Sequence, residues 1–166
     1  MHYMQAKSMI NFKNLALGCG IILFLGLIPA AVQAESLAGD GSFEDNIESN
    51  WGLWTAASTS REYQFFRTYE AAFGQGTHSA GIEASGSPEE RWEAGLANQQ
   101  EVPVEAGANY YLVFYAKADS PATISYFVQQ NTDYSPITPV YEDELGTEWQ
   151  KYIKVFSHNN NVNASI

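Results

Sequence analysis

The chain has 166 residues, room for one domain with one sizeable core. Aromatic residues make up 14% and charged residues only 16%, the reverse of a disordered chain. The net charge of −11 argues against DNA, RNA or an anionic membrane surface as partner, because little here would release a polyanion's counterions; neutral glycans stay compatible.

The N-terminus reads as a targeting segment. Lys7 and Lys13 precede an apolar run from Leu15 to Leu27, Pro29 breaks it, and Val32, Gln33 and Ala34 fit the small-residue cleavage rule. Residues 1–34 are expected to be a signal peptide cleaved after Ala34, which makes the protein secreted or periplasmic. The apolar stretch 15–32 is 18 residues long, so an uncleaved membrane anchor is the alternative, and the only one that would bring the chain to a membrane. Cys19 is the single cysteine. With Leu17 and Gly18 it faintly suggests a lipoprotein processing site, but the apolar run continues well beyond it. The processed chain 35–166 holds no cysteine, hence no disulfide framework. It carries six basic against nineteen acidic residues, a net charge of −13.

Beyond a polar entry at 35–50, Trp51 to Trp54 opens the first aromatic cluster. Arg61–Tyr69 reads as a strand and Ala80–Ala84 as a short one, with a turn at 74–79 and a charged loop at 85–91. Glu93 leads into a strand ending at Pro103 and Val104, and Glu105–Gly107 turns the chain. Asn109–Lys117 (NYYLVFYAK) is a long strand of high β propensity, apolar on both faces. Strands follow at Thr123–Asn131 and Trp149–Phe156, with a proline-containing loop over 132–140. Ala164–Ile166 resembles the start of one more strand. No helix of useful length and no internal repeat is visible. Short aromatic and β-branched runs between Pro, Gly and Asp clusters point to an antiparallel β-sandwich.

Several phrases are similar, in order, to one family. Gly39, Asp40, Gly41, Ser42, Phe43 and Glu44, then Trp51 and Gly52, resemble its opening motif. Gly76, Thr77, His78 and Ser79 match its next element. Trp92 and the run Asn98, Gln99, Gln100 follow. Val104–Asp119, Thr123–Gln130 and Thr147–Tyr152 complete the set. The chain thus resembles the secreted carbohydrate-binding modules of families four, nine, sixteen and twenty-two. That implies an all-β, galactose-binding-domain-like jelly roll over 35–166 that binds polysaccharide without covalent chemistry. The family's usual closing strands, with their Asp-Asp-Val-x-Leu motif, have no counterpart before Ile166. The module is therefore expected to be incomplete at its C-terminus, with exposed sheet edges and marginal stability as an isolated 35–166 fragment.

Sugar binding needs flat apolar surfaces for pyranose faces and planar polar groups for hydroxyls. The resemblance implies two aromatics flanking a cleft, at Trp92 and Tyr134. Trp92 would otherwise be a core residue, but its neighbours Glu89, Glu90, Arg91 and Glu93 are charged. Along Thr123–Asn131, residues Tyr126, Val128 and Gln130 share one face and Phe127, Gln129 and Asn131 the other. Phe127 reads as core, so Tyr126 and Gln130 are expected in the cleft, with Glu142 reaching it from the following loop. The resemblance also implies a structural calcium held by Gly41, Glu44, Gln75 and His78, the last through its carbonyl. Calcium takes six to eight oxygens, and the Asp of the closing strand is lacking from this set.

Catalysis has little support. The acids Glu89 and Glu90, or Glu142, Asp143 and Glu144, are adjacent in sequence and do not form an opposed pair of the glycosidase kind. The histidines His2, His78 and His158 are scattered. The expected function is non-catalytic binding of a β-glucan or xylan-like chain that targets an attached or partner glycoside hydrolase, by a monomer or as part of a longer chain. The alternatives are a structural or adhesive cell-surface jelly roll without sugar binding, and the N-terminal piece of a longer glycoside hydrolase.

Overall fold

The computed structural model describes residues 2–6, 10–11, 37, 41–57, 60–70, 76–85 and 93–166, the first two segments as backbone alone. Residues 12–34 of the expected leader, with Cys19, lie outside the described residues. The strands in chain order are β1 (His2–Ala6), β2 (Ile10–Asn11), β3 (Trp51–Thr55), β4 (Tyr63–Thr68) and β5 (Ser79–Ala84). They continue with β6 (Ala94–Asn98), β7 (Val102–Val104), β8 (Asn109–Ala118), β9 (Ala122–Tyr126) and β10 (Gln129–Gln130). The last are β11 (Tyr141–Leu145), β12 (Gln150–Ser157) and β13 (Val162–Ser165). Every pairing is antiparallel, and the chain is an all-β sandwich.

One layer runs β12-β8-β1-β5-β4, with β2 also along β8. The other is assembled from the ladders β3-β6, β7-β13-β10 and β9-β11. These run into one another. Asn98, ending β6, donates its amide to the Ile166 carbonyl beside β13 at 2.7 Å, and β9 passes into β10 after two residues.

The long strand β8 explains the core. Its alternate residues Tyr110, Leu112, Phe114, Ala116 and Ala118 all point inward and are buried. Val102, Val104, Tyr126, Val128, Leu145 and Ala164 meet them from the facing layer. Phe114 stacks on Tyr152 (centroids 5.1 Å) and meets Tyr126 edge-on at 4.7 Å. A second cluster joins Phe43, Ile47, Trp51 and Ala80, with Phe43 and Trp51 at 5.3 Å. Ile47 sits on a one-turn helix, α1 (Ile47–Asn50), that Asn46 starts by accepting the Glu48 amide on Oδ1 at 3.2 Å.

Two expectations change. The strand expected over Thr123–Asn131 breaks at Phe127 and Val128, where the Val128 amide leaves the ladder for the Thr138 hydroxyl (3.0 Å). The stretch 141–145, expected as loop, is the edge strand β11. Its alternation places Tyr141, Asp143 and Leu145 inward and Glu142 and Glu144 outward, in register with β9. Edge strands β11 and β12 lie in opposite layers, and each carries one inward charge. Asp143 and Lys154 meet at 3.0 Å, the Tyr126 hydroxyl donates to Asp143, and Lys154 lies 5.5 Å from the Tyr141 ring centre. Partial burial acts to raise the Asp143 carboxyl, but the Tyr126 hydroxyl and the Lys154 ammonium outweigh it and hold it below the usual range. Burial, and then Asp143, push the Tyr126 phenol upward. Inward charges of this kind close the sandwich's side and discourage edge pairing with other chains.

Candidate functional site

The outward face of the second layer gathers the groups a flat, hydroxyl-rich ligand needs. On β3, Trp51 faces the core, so Trp54, three residues on, must face out. Trp54 is 47% exposed. Its indole lies over Gly95 of β6, where an added Cβ would stand 2.5 Å from Nε1. Gln99 lies likewise over Gly52, 2.4 Å from the Cβ position. Glycines at 52 and 95 thus leave room for an indole and an amide to lie against the sheet.

Further along the same face, the Gln129 amide approaches the Ser165 hydroxyl at 3.5 Å. The Glu101 carboxylate accepts from the side-chain amides of Asn131 (2.6 Å) and Asn163 (2.8 Å), holding three strand ends together. Glu142 pairs with Ser125 and points outward. The loop after β10 is built tightly. Gln130 donates its amide to the Ser135 carbonyl (2.8 Å), and Tyr134 donates back to the Gln130 carbonyl (3.1 Å). Asp133 accepts from the Ser135 amide (3.0 Å) and hydroxyl (2.7 Å), which hold its carboxyl below the usual range. This frame keeps Tyr134 at φ 58 with its ring 67% exposed. A bulky residue at positive φ is rare, and such strain concentrates at functional positions.

Of the expected sugar-binding residues, Tyr134 and Glu142 stand exposed, on this loop and this face respectively. Trp92 lies outside the described residues. Tyr126 and Gln130 correct the expectation, because the parity of their strand is the reverse of that expected. Tyr126 is 6% exposed and packs on Phe114 and Tyr141. Gln130 lies on the same inward side, opposite buried Ala164, with its amide on the Ser135 hydroxyl (2.7 Å). Ser125, Phe127 and Gln129 take the outward side. Trp54 and Gln99 are members of the face that the sequence reading passes over.

Of the residues expected around calcium, Glu44 and His78 meet directly. Glu44 Oε1 accepts from the amides of Thr77 (2.6 Å) and His78 (3.0 Å). Oε2 accepts from the Thr77 hydroxyl (2.8 Å) and lies 2.8 Å from His78 Nδ1. Arg67 donates to the carbonyls of Glu44 (3.0 Å) and Asp45 (2.7 Å). Gly76 sits at φ 119, and a Cβ there would fall 2.2 Å from Glu44 Oε1. Gly41 is buried nearby in the sequence, and Gln75 lies outside the described residues. The Glu44 carboxylate is thus surrounded by N–H and O–H donors. Among the described residues no group of three or more His, Cys, Asp or Glu is placed to hold a metal.

Those donors, His78 first and then Thr77, lower the Glu44 carboxyl from 4.5 to about 2. A carboxylate favoured in the folded state stabilises above its unfolded pKa and ceases to do so as pH falls through the folded one. Glu44→Gln is therefore expected to melt below the parent chain at neutral pH. The gap should narrow as pH falls from 4.5 towards 2. Melting curves of both chains across that range check this, and a pH-independent gap would contradict it.

The comparisons agree with the geometry. A family model, CBM_4_9, described as a carbohydrate binding domain, matches residues 36–166. No curated protein matches the chain. The all-β sandwich and a match that spans residues 36–166 place this protein in the CBM_4_9 family of carbohydrate binding domains.

Proposed function

We propose that the outward face of the second layer binds a neutral polysaccharide of the β-glucan or xylan class, and thereby targets an attached or partner glycoside hydrolase to it. The observation that carries this reading is Trp54, a half-exposed indole laid over Gly95. A pyranose packs its CH-rich face on such a ring, and the amides of Gln99 and Gln129 and the carboxylates of Glu101 and Glu142 are matched to its hydroxyls. Tyr134 offers a second exposed ring. With net charge −11, a neutral glycan avoids the repulsion an acidic one would meet. The binding domain itself performs no chemistry. The expected leader fits this role, since polysaccharides of this kind lie outside the cell.

Affinity electrophoresis of the full chain through gels carrying laminarin, mixed-linkage β-glucan, xylan or no glycan tests the reading. Retardation by one of these glycans is expected. Migration unchanged in every gel, by a chain whose near-ultraviolet circular dichroism shows a packed core, would favour a structural domain without sugar binding.

A further inference from the structure

A groove of about 620 Å³ lies at the far end of the same outward face, with Pro103, Glu105, Ala106, Asn161 and Asn163 in its walls. Strand alternation puts these side chains there. Val102 and Val104 of β7 are buried in the core, so Glu101, Pro103 and Glu105 turn outward. On the neighbouring strand Ala164 is buried and Val162 packs on the same core, so Asn161 and Asn163 turn outward too. Asn163 stands directly opposite Pro103. Gly95, over which the Trp54 indole lies, comes eight residues before Pro103 on the joined line of β6 and β7. At about 3.2–3.4 Å per residue, the groove is up to roughly 27 Å from that indole.

Two exposed turns form the groove, and they are tied together firmly. The Glu105 amide donates to the hydroxyl of buried Tyr110 (2.7 Å). Gly107, at φ 75, donates its amide to the His158 carbonyl (2.8 Å). The Ala106 amide donates to Asn161 Oδ1 (2.7 Å). At the other wall the Asn163 side-chain amide donates to Glu101 (2.8 Å).

These bonds sort the chemistry of the two asparagines. Ala106 engages the Asn161 carbonyl oxygen, which leaves the Asn161 NH2 group as a donor. Glu101 engages the Asn163 NH2 group, which leaves the Asn163 carbonyl oxygen as an acceptor. A sugar hydroxyl donates and accepts, so it complements both, and the exposed Pro103 ring beside them offers an apolar platform. The lining holds one acid, Glu105, and no cation, which suits a neutral ligand better than an anionic one.

We propose that this groove is a distal subsite for the same polysaccharide. A chain stacked on Trp54 runs over the outward face past Gln99, Glu101 and Asn131, and sets a later sugar unit on Pro103 between Asn161 and Asn163. The face then selects for length. A long chain engages both ends, the second contact forming at high effective concentration once the first is made. A disaccharide engages only one. The inference rests on the sugar-binding reading and adds a second contact point to it.

Calorimetric titration of the full chain with disaccharides and octasaccharides from laminarin, mixed-linkage β-glucan and xylan tests it. For at least one glycan the octasaccharide is expected to bind about tenfold or more tighter than the disaccharide. Asn161→Asp keeps an oxygen for the Ala106 amide and removes the NH2 donor. It is expected to weaken the octasaccharide about fivefold, the usual contribution of one hydrogen bond, and to leave the disaccharide unchanged. Pro103→Ser removes the platform and should show the same dependence on length. Equal affinity for the two lengths in the parent chain overturns the subsite and leaves the sugar-binding reading standing. Octasaccharide binding that neither substitution weakens does the same, as does an equal loss at both lengths. Binding of neither length by the parent chain overturns both.

Discussion

Phe114→Ala is expected to remove about 3–5 kcal/mol of unfolding free energy. Phe114 is 3% exposed and stands mid-strand on β8. Its ring is stacked on Tyr152 and meets Tyr126 edge-on. Truncation removes the transfer energy of the ring, leaves a cavity that a sheet framed by β12 and β1 collapses into only partly, and forfeits two aromatic pairings worth about 0.5–1.5 kcal/mol each. Domains of this size hold about 5–15 kcal/mol in total, so this one change takes a large share. Phe114→Leu keeps most of the volume and should cost far less. Urea unfolding of the three chains decides it. A drop under about 1 kcal/mol for the alanine variant would mean that the core is not organised around β8.

Removing residues 1–34 is expected to have the second large effect. The truncated chain loses a five-residue strand from the middle of the first layer. At about 1 kcal/mol net for each ladder hydrogen bond, several kcal/mol go with it, before the loosening of the core beneath is counted. The two exposed edges of β5 and β8 also offer a template for pairing between chains. The 35–166 chain should melt well below the full chain and self-associate as its concentration rises. Sedimentation velocity and a thermal scan of the two chains read both effects. A sharp, reversible transition at the full chain's temperature, from a monomer, would contradict them.

Some of this is legible in the sequence and some is not. The run NYYLVFYAK announces β8 because both faces of a central strand are covered, so apolar residues occur at consecutive positions. The spacing of Trp51 and Trp54 is also readable, since three residues along a strand reverse the face and one indole must turn outward. The same rule is open to the acidic segment 141–145, where Tyr141 and Leu145 alternate with Glu142 and Glu144; its charge disguises an edge strand as a loop. The faces of β9 and β10 are harder. Tyr126 and Phe127 are equally suited to a core by composition. What decides between them lies elsewhere in the chain, in Phe114, Tyr141 and the Asp143–Lys154 pair that receives the Tyr126 hydroxyl. Glu44 shows a similar limit, because a carboxylate in a family motif does not reveal that backbone amides of Thr77 and His78 will satisfy it. The placement of residues 2–6 is the least legible, as their partners lie beyond residue 79.

The binding face is the central claim, and its most direct measurement is a calorimetric titration of the full chain, and of Trp54→Ala, with the soluble oligosaccharide of whichever glycan retards the chain in gels. Binding by the parent chain, weakened at least about tenfold (roughly 1.4 kcal/mol) in Trp54→Ala at unchanged melting temperature, is the predicted result, as for an aromatic anchor at the centre of a site. Equal affinity in the two chains would place the sugar elsewhere on the molecule and contradict the account.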